Sequence, residues 1–137
     1  MRLRHVACSA AVVLIIATNL DADAVAEPDL TGRWSGCWVS DKNGHHGPLH
    51  AKFCKLDECH YRVTFHGRFW KLVPFVYSVT LDVIGHDGEK VLLSGGQSLG
   101  PLLGRFDYSA TATDQNFTAT FRSKNDCGRF ELTRTCR

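Results

Sequence analysis

From Leu30 onward, hydrophobic side chains recur at every second position in short runs, and the positions between them are polar or charged. That period belongs to strands with one dry and one wet face. It predicts antiparallel hairpins and excludes a helical bundle or a parallel α/β sheet. Eight runs are legible. Residues 33–40 hold Trp34, Gly36 and Trp38 in step; Leu49, Ala51 and Phe53 mark the second run, and Tyr61, Val63 and Phe65 the third. The fourth is long, with Phe75, Tyr77, Val79, Leu81 and Val83. Val91 and Leu93, then Phe106, Tyr108, Ala110 and Ala112, then Phe117, Ala119 and Phe121, then Phe130 and Leu132 complete the set. Turn residues fall between them, at His86-Asp87-Gly88, Asp114-Gln115-Asn116 and Lys124-Asn125-Asp126. Many short strands must hide their edges, and closure into an up-and-down barrel does so completely. The expected fold is therefore an all-β, antiparallel, eight-stranded barrel, with a sandwich as the alternative.

The N-terminus breaks this pattern. Arg2 and Arg4 precede an apolar run over residues 6–17, and Ala24-Val25-Ala26 forms an A-x-A site. These are the parts of a secretory signal peptide, with Glu27 as the expected mature start and Ala22-Asp23-Ala24 as a competing site. The run falls short of the ~20 residues that span a bilayer. The domain reading is thus a leader at 1–26 and a single barrel at 27–137, placed in the periplasm or outside the cell. Removing Cys8 with the leader leaves an odd number of cysteines: Cys37, Cys54, Cys59, Cys127 and Cys136. In an oxidising compartment disulfides are the default.

A resemblance arises at Leu30-Thr31-Gly32-Arg33-Trp34, which contains G-x-W. This is similar to the opening of the calycin barrels (lipocalins, fatty-acid-binding proteins and avidins), and LTGRW resembles an avidin start. The resemblance implies a barrel closed at one end by Trp34, with an Arg near the last strand packed over it. Arg134 matches that Arg, and it is also in step with Phe130 and Leu132 on a strand that antiparallel closure lays beside the first. Avidin-type biotin sites draw on tryptophans of later strands, and the one later Trp here is Trp70. Residues 32–134, through segments such as GPLHAKF, YRVTFHGRF and GRFDYSATAT, also resemble a family of short exported bacterial proteins, a likeness that implies no activity.

Several residues carry possible chemistry. His45, His46 and His50 cluster in and after a Gly-flanked turn, with Cys54, Cys59 or Asp41 near in sequence, and form an alternative reading as a metal-binding loop. Cys37 and Cys127 are expected to staple the seam between last and first strands, leaving Cys136 as the odd thiol. Cys54 and Cys59 flank a turn; parity puts them on opposite faces unless a bulge intervenes, so their pairing stays open. Gly96-Gln97-Ser98-Leu99-Gly100 satisfies G-x-S-x-G, but a nucleophile elbow needs a strand, a turn and a helix, and no helical pattern follows.

Residues 69–76 are strongly apolar and include Pro74, which argues against a regular central strand. The segment is expected to plug or rim one barrel end, so Phe69, Trp70, Leu72, Phe75, Tyr77 and Tyr108 are the candidate ligand residues, with Leu99, Leu102 and Leu103 on the same rim. A net charge of +2, spread without an aromatic stripe, argues against a nucleic-acid partner. No cofactor is implied. The leading expectation is an exported, non-enzymatic barrel that takes a small apolar or amphipathic ligand, or an apolar protein partner, at one mouth. A structural or inhibitor-like module with a filled barrel is the alternative.

Overall fold

Residues 27–69 and 72–136 are described in a computed structural model of the chain; the expected leader at 1–26 and Trp70 lie outside them. Eight strands follow in order: β1 (Gly32–Ser40), β2 (His46–Asp57), β3 (His60–Phe69), β4 (Val73–Asp87), β5 (Lys90–Ser98), β6 (Arg105–Ala112), β7 (Asn116–Ser123) and β8 (Cys127–Cys136). Each pairs antiparallel with the next, and β8 returns to β1, closing the barrel. Closure removes every sheet edge, which is how so short a chain keeps its backbone donors and acceptors paired. No helix among the described residues is long and apolar enough to cross a membrane. Outward positions such as Lys52, Arg62, Thr80 and Thr118 are polar, the reverse of a barrel that spans a bilayer.

Most of the alternating apolar residues bury almost completely, while Phe75, Tyr77, Val83 and Phe106 are partly buried against them. Trp34, Leu49, Phe53, Val63, Phe65, Leu81, Leu93 and Phe117 are among the most deeply buried side chains. Ladder irregularities fall between Arg33 and Trp34, between Lys55 and Asp57 and between Val83 and Gly85. Bulges of this kind add the local bend that a small closed barrel needs.

Two local expectations are corrected. Residues 73–76 belong to a regular strand rather than to a plug: β3 and β4 pair up to Phe69–Val73, and Pro74 lies opposite Arg68. Proline is tolerated there because it sits one pair from the turn, where a missing N–H interrupts no interior ladder. After β5 comes a one-turn helix, α1 (Gly100–Leu103), with Pro101 in its first turn. It is too short for a hydrophobic period to betray it, and it does not make Ser98 a nucleophile elbow. β5 pairs antiparallel with β4 and β6, not within the parallel sheet that such an elbow requires.

The cysteine expectations are corrected too. Cys37 lies opposite Glu131, whereas Cys127 precedes the Ser40–Gly128 pair. The two are offset along the seam by roughly 13 Å at a ~3.4 Å rise per residue, beyond the ~7 Å that a disulfide spans. A bulge does interrupt the β2–β3 ladder, yet Cys54 sits opposite Arg62 and Cys59 in the turn. No disulfide joins any of Cys37, Cys54, Cys59 and Cys127.

Candidate functional site: a half-filled barrel

One end of the barrel is sealed by side chains. Leu30 and Trp34 are buried beneath it, and the Trp34 indole N–H donates to the Leu30 carbonyl at 3.0 Å. Phe53 and Phe117 pack against the indole, with centroids 5.5 and 6.4 Å away. Arg134 lies over the ring, its guanidinium carbon 4.5 Å from the centroid. The same guanidinium donates to the carbonyls of Asp114, Thr31 and Asp29 at 2.7, 2.5 and 2.6 Å. One planar cation thus ties three chain segments together over an aromatic floor.

The other end is open. There the interior widens into a cavity of about 310 Å³, lined chiefly by Trp38, Phe75, Tyr77, Phe106, Phe121 and Phe130, with Leu99 and Leu103 from the α1 lip. Ser123, Asn125 and Asp126 supply its polar margin. Trp38 is held by its indole N–H, which donates to the Arg68 carbonyl at 3.3 Å. Phe75 lies across Gly67, where an added Cβ would come within 2.7 Å of the ring. Asp126 is fixed by Ser40, whose hydroxyl donates to its carboxylate at 2.6 Å, and by the Cys127 N–H at 2.8 Å.

The deep wall of the cavity carries the polar group that matters most. Tyr108 donates its hydroxyl to that of Tyr77 at 3.0 Å. Two phenols hold two protons and use one between them, which leaves one hydroxyl proton available at the cavity. Burial pushes the Tyr108 phenol up to about 12. The Tyr77 phenol moves the same way, through burial and then through the neighbouring Tyr108. Both therefore stay neutral at ordinary pH, and the pair keeps its one donor.

These shifts have a consequence for stability. Unfolded phenols ionise near 10.0, so above that pH the unfolded chain releases protons that the native state still holds. Stability is fully present below about pH 10 and falls as pH rises towards 12, by about 1.4 kcal/mol per pH unit for each such tyrosine. Melting curves across this alkaline range should show the fall, and Tyr108→Phe should make it shallower by one proton.

The other candidate residues do not converge. Leu72 is exposed, beyond the cavity rather than in it. Tyr108 lies beneath Tyr77 and reaches the site through it. His46 sits opposite Val39 and His50 opposite Ser35, both exposed, and His50 stacks on His66 with centroids 5.0 Å apart. Among the described residues no group of three or more His, Cys, Asp or Glu is placed to hold a metal, the set at His45, His46 and His50 included. Trp38, Phe106, Phe121 and Phe130 are the lining residues that the sequence showed only as inward-facing.

The chain matches no protein-family model and no curated protein. Among solved structures it is similar to a de novo designed fluorescence-activating β-barrel, with a TM-score of 0.55 and 13% identity over 77% of this chain and 93% of that one. A likeness at that identity speaks for the barrel architecture alone. Neither the calycin resemblance nor that to short exported proteins gains a family from these comparisons.

Proposed function

We propose that this barrel binds a small, mainly aromatic or aliphatic molecule bearing one hydrogen-bond acceptor, at the open mouth and without catalysis. The observation that carries the reading is the division of the interior. The end at Trp34 is packed solid, while the other half encloses about 310 Å³ of largely apolar space with a neutral hydroxyl pair at its inner wall. That volume sits at the lower edge of the range for small-molecule sites, and an apolar cavity with a few placed polar groups is the usual form of such a site. A rigid, sealed end fixes the strands around the cavity, so little ordering is needed on binding. The leader-like N-terminus adds export to this proposal, and the G-x-W start with Arg134 over Trp34 supports a calycin-like carrier.

Two fluorescent probes test it: an acylaminonaphthalene dye, whose ketone is an acceptor, and anthracene, which has none. Both should bind saturably. Leu103→Trp, which places a larger ring at the lip, should weaken both at least about tenfold by filling the mouth. Tyr77→Phe should weaken the ketone dye alone, about 5–10-fold, the worth of one ordinary hydrogen bond. Absence of saturable binding by either probe to the unmodified protein would overturn the reading and favour an interaction module.

A further inference from the structure

We infer that the open mouth is also a docking face for an anionic lipid bilayer. This inference stands on the outside of the rim and does not depend on what occupies the cavity. Two lips flank the opening, one at Leu72 and the start of β4 and one at α1, and each presents aliphatic side chains to solvent. Leu72 is 84% exposed and Leu102 86%, with Val73, Val76 and Leu103 beside them. Neither leucine packs on the core, so neither is explained by folding, and clustered exposed aliphatics mark an interaction surface.

Charge identifies the partner. The end that carries these lips also carries Lys42, Arg68, Arg105, Arg122, Lys124 and Arg129. Arg105 pairs with Asp107 and Arg129 with Asp41. Lys42, Arg68, Arg122 and Lys124 have no carboxylate ion-pair partner among the described residues, so the six cations outnumber the acids beside them, Asp41, Asp107 and Asp126. The hairpin tips at the sealed end instead carry five acids, Asp57, Glu58, Asp87, Glu89 and Asp114, against two lysines, Lys55 (paired with Glu58) and Lys90. The molecule is therefore polarised along the barrel axis: cationic and aliphatic at the mouth, acidic at the sealed pole. An anionic bilayer would orient it mouth-down, attracting the cations while the leucine tips enter the headgroup boundary. A second copy of the chain fits less well, because mouth-to-mouth pairing sets two cationic rims against each other.

Co-sedimentation of the purified protein with vesicles tests this. It should partition onto phosphatidylcholine vesicles containing phosphatidylglycerol at least about tenfold more strongly than onto phosphatidylcholine alone, with the excess lost in about 0.5 M salt. Leu72→Asp with Leu102→Asp should abolish the binding and leave the melting temperature unchanged, since both side chains are in solvent. Arg68→Gln and Lys124→Gln should each weaken it about fivefold. Tyr77→Phe, inside the cavity and away from the lips, should weaken the ketone dye about 5–10-fold yet leave vesicle binding intact, which separates the two readings. Equal binding to both vesicle types, anionic binding that survives the double leucine change, or self-association that the same change dissolves would each overturn the inference.

Discussion

Replacing Arg134 by alanine is expected to destabilise the barrel by about 3–5 kcal/mol, because the change strips a buried cation from a site built around it. The side chain is only 4% exposed. Its loss leaves the carbonyls of Asp114, Thr31 and Asp29 without their donor and takes the cation from the face of Trp34. It also leaves a void above an indole that is otherwise almost fully packed. Lysine should recover only part of the loss, since an ammonium at the end of a flexible stem cannot reach three carbonyls in one plane while covering the ring. Thermal or denaturant unfolding reads the effect, with a fall in Tm of roughly 12 °C or more. Arg33→Ala, at an exposed position on the neighbouring strand, should move it little. The lesion lies at the sealed pole, so below the lowered Tm the mouth should still bind the acylaminonaphthalene dye. A stability loss under 1 kcal/mol would mean that Trp34 and its aromatic neighbours close the barrel unaided.

The architecture was legible because a strand has a period of two and a barrel has one inside. Trp34, Phe53, Tyr61, Tyr108 and Phe130 are in step with their neighbours, and all of them bury. The position of the mouth could have been read as well. Once Trp34 marks the sealed pole, the inward residues at the far ends of the strands, Trp38, Phe75, Phe106 and Phe121, must line the opposite opening. Other features were hidden for physical reasons. Hairpin register sets which outward cysteines meet, and parity alone says nothing of register, so the Cys37–Cys127 offset emerges only from the Ser40–Gly128 pair. One helical turn such as α1, four residues long, is too short to repeat its hydrophobic period. Pro74 read as a breaker because its distance from the turn was unknown. The Tyr77–Tyr108 hydrogen bond joins residues 31 apart, and only the closed interior brings them together.

The β1–β8 seam supports a prediction of similar size. Gly36 is in step with Trp34 and Trp38 and read simply as a small inward residue. A Cβ at Gly36 would run into the backbone carbonyl of Glu131, and one at Gly128 into that of Val39. Both obstacles are main chain of the partner strand, so no side chain can swing aside to make room. Gly36→Ala and Gly128→Ala should therefore force β1 and β8 apart, each costing about 3 kcal/mol or more, at the upper end of overpacking penalties. Gly36 lies at mid-seam, opposite Leu132, and Gly128 at the mouth end of the seam, opposite Ser40. Each substitution should therefore open a different stretch, and hydrogen exchange can localise it. Gly36→Ala should release the amides around Leu132, and Gly128→Ala those around Ser40 and the mouth, weakening probe binding as well. Gly88→Ala is an instructive comparison. A Cβ there meets nothing within 4 Å, but the backbone is left-handed at φ +61°. Its cost should be the roughly 1–2 kcal/mol of a non-glycine residue in that conformation, with the seam amides still protected. If the seam substitutions cost no more than Gly88→Ala, the two strands can separate locally without strain. The closure of this barrel would then rest on Arg134 and the aromatic pole rather than on close approach of the chain to itself.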